Sequence, residues 1–488
     1  MSELSSAPAT ATSIPAARLF AGQSLAGRCL SELTGIGRDS RRVLPGQAYV
    51  AMGATSERAT HCAEAARNQA GTLVVPGFPA VAGPDPATLT SPSPRWSFAR
   101  ASAAAHGLDA RCLPLLGVTG TKGKSSIAHL AWWMLGGPGR AARVGTIGWH
   151  DGTNERPNAQ TTPPPEDLHA FLAALPRGLA GCALELSSHG CDQHRLAGLR
   201  LRALAYTGLG HDHLDYHGTR AGYLAAKLRA VRLLDEGALL VLNADDVHAG
   251  TFAHAGRTVG ARVLALGQAT GSHRLAPDGP GRWTLTAPGG THAFTAPLPG
   301  DFNAWNCAAA ALLATAVRVP LADALARLDS MPAIPGRMEL LAHAPATYVD
   351  YAHTPESIGN AVAAARSAHP GARLAIVFGC GGDKDRSKRA PMGAAASAAD
   401  VVVLTDDNPR GEDPAVITDQ IRAGVLSGTI CETLHARAEA IVRARELVGP
   451  AGVVVVAGKG HETSQIIGAT TLAWDDRAFV RTLTGGPT

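Results

Sequence analysis

Short apolar runs alternate with helix-like stretches through most of this chain, and the rhythm is interrupted twice. An apolar run from Leu113 to Val118 enters a glycine-rich loop, and a helix-like segment, Ile127 to Leu135, follows. Further apolar runs at Cys182–Leu186, Ala203–Thr207 and Ala238–Asn243 are separated by helical stretches, one of them Ala221 to Leu234. This alternation predicts an α/β unit, a parallel sheet covered by helices. The first interruption is a more polar segment, about 268–300, which reads as antiparallel strands with Gly-rich turns. An Ala-rich helix is expected over Ala304 to Val317. The second interruption, Pro335-Gly336-Arg337, reads as a domain hinge. Beyond it the alternation restarts, with strands expected near Tyr348, Leu374, Val401 and Val453. Ligands bind beyond the carboxyl ends of such strands. Ahead of the glycine loop, Leu33 to Met52 reads as a small α/β start, and the Pro-rich 76–95 as loop. Met1 to Arg18 reads as a loose tail.

Composition narrows the class. A chain of 488 residues exceeds one ordinary core, so two to four domains are expected. Its 44 basic and 40 acidic residues nearly cancel, and no basic block is present, so nothing calls for nucleic acid. The 8 cysteines form no CxxC pair, which fits reduced thiols in a cytoplasmic protein. No apolar run reaches the roughly 18 residues of a membrane span, and the N-terminus, with Glu3, has no secretory core. No stable membrane association is expected.

Chemistry enters at the glycine loop, Gly117-Val118-Thr119-Gly120-Thr121-Lys122-Gly123-Lys124-Ser125-Ser126. Strand, loop and helix together form a phosphate cradle: backbone N–H groups and a helix N-terminus face the phosphates, Lys124 adds charge, and Ser125 can reach Mg²⁺. The pattern is T-G-T-x-G-K-S, with Val118 where the general loop has its first glycine. ATP or GTP is implied. Polar clusters follow several expected strand ends. Glu185, Ser187, Gln193 and Arg195 form one; His211, Asp212, His213, Asp215 and His217 form another. The histidine spacing fits no common zinc motif. Beside a nucleotide loop, Mg²⁺ held through Glu185 and one histidine is the better expectation. Lys227, alone on a helical stretch, reads by itself as a solvated side chain.

The ordered motifs T-G-T-x-G-K-S, T-T-P, E-x-S-S-H-G with Q-H-R, D-H-L-D-Y-H-G, A-A-K, G-x-F-N-x-x-N, G-R-M-E, D-Y-A-H-T-P, F-G-C-G-G-D, D-N-P-R and G-K-G-H-E resemble the Mur ligases, in the branch that adds the third residue of the peptidoglycan stem peptide. The resemblance runs from about residue 33 to the C-terminus. It implies three domains: 1–110 for the UDP moiety, a P-loop ATPase at 111–335, and a Rossmann-like unit at 336–488. It implies a monomeric ATP- and Mg²⁺-dependent ligase joining diaminopimelate to a UDP-MurNAc-dipeptide through an acyl phosphate. Carried over by position, Gly120, Thr121, Gly123, Lys124, Ser125, Ser126, Asn303, Asn306, Arg337, Asp350 and His353 match nucleotide positions. Ser40, Thr161, Thr162, Ser187, Gln193 and Arg195 match the muramoyl-peptide side. Lys384, Asp407, Asn408, Pro409, Arg410, Gly458 and Glu462 match the amino-acid side. Ser125, Glu185, His213 and a carbamylated Lys227 match metal positions, and Lys124, Lys227 and His213 the catalytic ones. The resemblance thus reverses the solvated reading of Lys227.

The chain departs from the family at several places. Thr207-Gly208-Leu209-Gly210-His211-Asp212-His213 stands where T-N-L-[ST]-R-D-H is usual, and Lys384 stands where an Arg contacts the amino acid. Arg to Lys loses bidentate geometry. The stretch from Gly53 to His61 lacks the usual G-H-x-x-D-G-like loop. These changes leave a second reading open: a divergent ligase joining another amine, such as L-lysine, or using another acceptor in specialised metabolism.

Overall fold

The structure, a computed structural model, describes residues 13–27, 29–52, 55–75, 87–110, 112–158, 160–210 and 212–484. Most of the expected tail, the Gly53 position and His211 lie outside the described residues. The end of that tail is not loose: Ala16–Leu19 form a helical turn with Leu19 buried.

The first unit is a five-stranded sheet. Its strands are β1 (Ala26–Gly27), β2 (Ile36–Gly37), β3 (Ala48–Val50), β4 (Thr72–Val75) and β5 (Ala87–Thr90), with helices α1 (Thr55–Arg67) and α2 (Pro94–Ala105). The loop expected over 76–95 is corrected at 87–90 and from 94 onward, while 76–86 lie outside the described residues. Ala87–Thr90 pairs in parallel with β4, because alternate side chains Ala87 and Leu89 turn inward, and Pro94 opens α2 at the first helical turn, where a missing N–H costs nothing.

The second unit is an eleven-stranded sheet. In chain order its elements are β6 (Leu115–Thr119), α3 (Lys124–Met134), β7 (Ala142–Gly145), β8 (Gly148–His150), β9 (Glu155–Arg156), α4 (Pro165–Ala174), β10 (Cys182–Glu185), α5 (Ser188–Asp192), β11 (Leu201–Tyr206), α6 (Leu214–His217), α7 (Arg220–Leu228), β12 (Leu234–Asn243), α8 (Ala249–Thr258), β13 (Arg262–Gly267), β14 (His273–Pro277), β15 (Arg282–Ala287), β16 (Gly290–Thr295) and α9 (Asp301–Thr315). The sheet order is β9-β8-β7-β10-β6-β11-β12-β13-β14-β15-β16. From β7 to β14 neighbours are parallel; β14, β15 and β16 form the antiparallel segment expected from the polar pattern. β6 is buried at every position, as a strand with helices on both faces must be. Helices α3 and α9 cover one face with Ile127, Leu130, Leu312 and Leu313, while α4, α7 and α8 cover the other with Leu168, Tyr223 and Phe252.

The third unit holds β17 (Glu339–His343), β18 (Ala346–Val349), α10 (Pro355–Ala368), β19 (Leu374–Phe378), α11 (Arg389–Ala396), β20 (Val401–Leu404), α12 (Pro414–Arg422), β21 (Ile430–Thr433), α13 (Arg437–Val448) and β22 (Val453–Val456). The order β17-β18-β22-β19-β20-β21 is parallel except for the first pair. A hairpin, β23 (Ser464–Ile467) and β24 (Thr470–Ala473), and helix α14 (Asp476–Thr482) close the chain. Among the described residues no helix is long and apolar enough to cross a membrane.

Candidate active site

β6 sits at the point where the strand order turns back, between β10 and β11, so its carboxyl end opens into a cleft. The chain leaves it through Gly120 at φ +144 and Gly123 at φ +76. A Cβ on Gly120 would lie 1.8 Å from Thr207 Oγ1, and one on Gly123 would lie 2.6 Å from Asn306 Oδ1. Only glycine permits this path, which leaves a run of backbone N–H groups ahead of the α3 N-terminus. Lys124 Nζ donates to the Thr121 carbonyl at 2.8 Å. Burial lowers its ammonium pKa, with Glu185 and Asp212 opposing. Ser126 is buried in the first turn of α3. Beside the loop, Asn306 Nδ2 donates to Asn303 Oδ1 at 3.1 Å, and Asn303 Nδ2 to the Pro299 carbonyl at 2.7 Å.

Glu185, the last residue of β10, joins the loop to the neighbouring strands. One carboxylate oxygen accepts from Ser125 Oγ at 2.9 Å and Thr146 Oγ1 at 3.0 Å; the other accepts from the Thr146 N–H at 2.8 Å. Thr146 Oγ1 lies 2.9 Å from Thr161 Oγ1, and Thr162 Oγ1 donates to the Glu185 carbonyl at 2.8 Å. Thr162 Oγ1 also accepts from the Ser187 N–H at 2.9 Å, and Ser187 caps α5 through Gly190. Arg195 completes this shelf. Its Nη1 donates to the Thr162 carbonyl at 2.6 Å and to Gln160, and its Nε and Nη2 grip Gln193 Oε1 at 3.1 and 2.7 Å. Ser40 is not gathered into this cluster. It lies in the first unit, donating to Glu64 at 2.5 Å, with Asn68 on its carbonyl.

Lys227 is buried in α7 beneath the loop, corrected from a solvated side chain. Tertiary packing, invisible to a helical pattern, turns it inward: Nζ donates to the Gly120 carbonyl at 2.6 Å and lies 4.5 Å from the Tyr223 ring centroid. Burial, then Lys124, pushes its pKa far down. His213 has φ +54, and its ring stands 4.9 Å from that of His189. Burial lowers its pKa to about 4 despite Asp212, so the imidazole is neutral near pH 7 and keeps a lone pair.

The third unit faces the same cleft. Arg337 Nη2 donates to Ser125 Oγ at 2.9 Å, and its guanidinium lies 4.6 Å from the Tyr351 ring centroid. Asp350 accepts from the Met338 and Ala352 N–H groups at 2.8 Å each; burial raises its pKa. His353 Nδ1 lies 2.7 Å from the Tyr351 carbonyl. Behind it, Lys459 is fully buried and holds a polar set together. Its Nζ reaches Asn408 Oδ1 at 3.1 Å, Asp407 at 3.3 Å and Glu462 at 3.6 Å, while Asn408 Nδ2 donates to Glu462 at 3.2 Å. Burial and Asp407 raise the Glu462 pKa, with Lys459 opposing. A Cβ on Gly458 would meet Asp407 at 3.1 Å. Arg410, after Pro409 and at φ +52, donates to the Gly382 carbonyl at 3.0 Å. Lys384 is exposed and, with Arg410, flanks Gly381: a Cβ there would lie 3.8 Å from Lys384 Cγ and 2.9 Å from Arg410 Nη1.

Thr146 and Gln160 were not foreseen from the sequence, and Tyr351 and Lys459 stood in quoted motifs without an assigned role. Lys459 had a signal, the G-K-G-H-E motif, since a Lys between glycines at a strand end is a natural anchor. Thr146 had none; only the pairing of β7 with β10 brings it to Glu185.

A profile described as the Mur ligase middle domain matches residues 118–314, and one described as the Mur ligase glutamate ligase domain matches 336–460. The chain is 40% identical over 464 residues to the UDP-N-acetylmuramoyl-L-alanyl-D-glutamate–2,6-diaminopimelate ligase of Brucella melitensis, covering 92% of this chain and 93% of that one. The chain belongs to the Mur ligase family. A second family member of that same description, from Alkalilimnicola ehrlichii, is 42% identical over 421 residues, covering 83% and 81%. A solved Mur ligase structure, also of a UDP-N-acetylmuramoyl-L-alanyl-D-glutamate–2,6-diaminopimelate ligase, superposes with a TM-score of 0.67 at 30% identity over 93% of this chain and 94% of that one. Folylpolyglutamate synthase of Mycobacterium tuberculosis, solved with ADP and AMPPCP, shares the fold, with a TM-score of 0.63 at 20% identity over 80% and 95%.

Proposed function

We propose that this Mur ligase adds meso-2,6-diaminopimelate to the D-Glu γ-carboxylate of UDP-MurNAc-L-Ala-D-Glu, consuming ATP, in peptidoglycan precursor synthesis. One observation carries the reading: Glu185 bonds the loop serine on one side and, through Thr146 and Thr162, the Arg195 shelf on the other. A phosphate cradle and a carboxylate-binding shelf therefore share one wall. In this reading the units divide at 1–110, 111–335 and 336–488, and the protein works as a cytoplasmic monomer on small-molecule substrates.

Arg195, with Thr161, Thr162, Ser187 and Gln193, holds the muramoyl peptide so that its γ-carboxylate faces the loop, with Ser40 on the uridine side. A carboxylate oxygen attacks the γ-phosphorus of ATP, the bond to ADP breaks, and an acyl phosphate forms. Lys124 and the loop N–H groups offset the charge on the transferring phosphoryl group. Asn303, Asn306, Arg337, Asp350 and His353 line the nucleotide. Arg410, with Lys384, takes the distal carboxylate of diaminopimelate, and Asp407, Asn408 and Glu462 its ammonium. The free amine attacks the acyl carbon, a C–N bond forms, and phosphate leaves with loss of one proton from nitrogen.

Among the described residues, no three His, Cys, Asp or Glu side chains converge on a metal position. Mg²⁺ carried by nucleotide phosphates asks for less: one or two carboxylates and a hydroxyl, with water completing the shell. Ser125 and Glu185 fit that demand, joined by neutral His213. When bound, Mg²⁺ neutralises phosphate charge. Lys227 suits carbamylation, because only an uncharged amine adds CO₂, forming an N–C bond and releasing one proton. The anion so made would replace the buried amine as a ligand for a second Mg²⁺.

The test incubates purified protein, ATP, Mg²⁺ and the UDP-MurNAc dipeptide with a panel of amines, following product mass and phosphate. Diaminopimelate addition is expected. Lysine addition without it overturns the amine, and turnover only with a non-muramoyl acceptor overturns the pathway.

A further inference from the structure

Besides Ser125, which accepts from Arg337, a second side chain of the nucleotide loop meets the third unit. Lys122 Nζ lies 2.7 Å from Glu356 Oε2, in the first turn of α10 in the third unit. Both ends are anchored. The Lys122 carbonyl accepts from Thr207 Oγ1 at 2.6 Å, and the preceding Thr121 N–H donates to the Gly208 carbonyl at 2.9 Å. On the other side, Thr354 and Ser357 form a reciprocal capping box with Pro355 between, which sets the start of α10 and with it Glu356. Gly210 leaves the space: a Cβ there would stand 3.1 Å from Glu356 Oε2 and 3.4 Å from Thr121 Cγ2. Burial lowers the Lys122 pKa, while Glu356 and then Asp212 support its charge.

We infer that the Lys122–Glu356 pair is an interdomain clasp that holds the third unit on the nucleotide loop during turnover, making Lys122 and Glu356 positioning residues. This inference rests on the ligase reading above. The strand ends of the third unit carry the residues proposed to meet the amine, so that unit must stay seated while the acyl phosphate exists. A gap admits water, which attacks the same carbonyl and releases phosphate with no amide formed. The pair joins two separately folded units, so breaking it loosens their seating and leaves each core intact. Glu356 is 63% exposed, so solvent screens the pair and its effect is modest.

The experiment uses the full-length protein with Glu356→Lys, Lys122→Glu and the double exchange. Phosphate released per amide formed is read alongside kcat, KM for ATP, and the radius of gyration by solution scattering with ADP. Each single reversal is expected to raise phosphate released per amide by roughly two- to fivefold and to enlarge the particle. The double exchange is expected to recover much of both. Glu356→Lys leaves the loop untouched and so separates clasp loss from loop damage. Unchanged coupling and scattering in Glu356→Lys, or a double exchange that sums the two defects, overturns the clasp. Absence of tripeptide product from the unsubstituted protein overturns the ligase reading instead, and scattering then still decides the clasp.

Discussion

Gly145→Ala isolates the role of Glu185 without touching a charged or polar side chain. Gly145 ends β7, and its φ is not in the left-handed region, so alanine brings no backbone penalty there. Its Cβ would fall 2.1 Å from Glu185 Oε1 and 2.7 Å from Cδ and Cγ. Ordinary contact begins near 3.4 Å, so the carboxylate must retreat by more than 1 Å. Retreat breaks the bond from the Thr146 N–H and loosens those from Ser125 and Thr146 Oγ1. Bonds to a charged acceptor contribute about 1.5–3 kcal/mol each, but the displaced carboxylate regains water in the cleft, so a net loss of about 1–3 kcal/mol, the usual range for overpacking, is expected. Catalysis is hit harder, because misplacing a positioning group by about 1 Å costs on the order of 100-fold. Steady-state ligation is expected to show a large fall in kcat with a smaller rise in KM for ATP, and circular dichroism is expected to show an intact fold. Adding Glu185→Asp, one methylene shorter, should recover part of the stability. Near-normal kcat in Gly145→Ala would refute the placement of Glu185 at the centre of the site.

Three further outcomes follow from the same geometry. Lys227→Ala should abolish most ligation, and short carboxylates in the buffer should restore part of it; full activity without them removes the carbamate. Arg195→Lys cannot keep the contacts to Gln193, Gln160 and the Thr162 carbonyl together, so KM for the UDP-linked substrate should rise by roughly 10-fold or more with KM for ATP little changed. His169 is buried in α4, both ring nitrogens lack a hydrogen-bond partner among the described residues, and burial lowers its pKa to about 3. The unfolded chain then binds a proton that the folded state refuses, so stability is full above about pH 6.5 and falls as pH drops towards 3. Between pH 7.5 and 5.5 the loss is about 1 kcal/mol, read by urea unfolding, and His169→Phe should flatten it.

Local rules carried a large part of this molecule. The glycine loop was legible because Gly120 and Gly123 are demanded by backbone geometry that few other residues adopt, and the Lys-Ser that follows is a statement about phosphate chemistry. The strands of the second and third units were legible because burial on both faces makes them continuous apolar runs, and Pro335-Gly336 falls in the segment between the two sheets. Strand β5 was missed because Pro and Gly around it look like loop. Its alternate burial exists only once β4 and α2 are in place. What no local pattern contains is convergence. Glu185 ends β10 and Arg195 follows it beyond α5, whereas Thr146 and Ser125 follow β7 and β6, and only the parallel order β7-β10-β6 sets them on one wall. Lys227 shows the division most sharply. As sequence it is one lysine on an Ala-rich helix, and its chemistry depends on charge and solvation. The fold packs the distant Gly120 carbonyl and, one turn away on the same helix, Tyr223 against its amine, removes its water, and sets the distant Lys124 near enough to oppose its charge. The sequence by itself determined which groups can hold a phosphate; the tertiary structure decided which of them share a low-dielectric cleft, because desolvation and distance are properties of the folded packing alone.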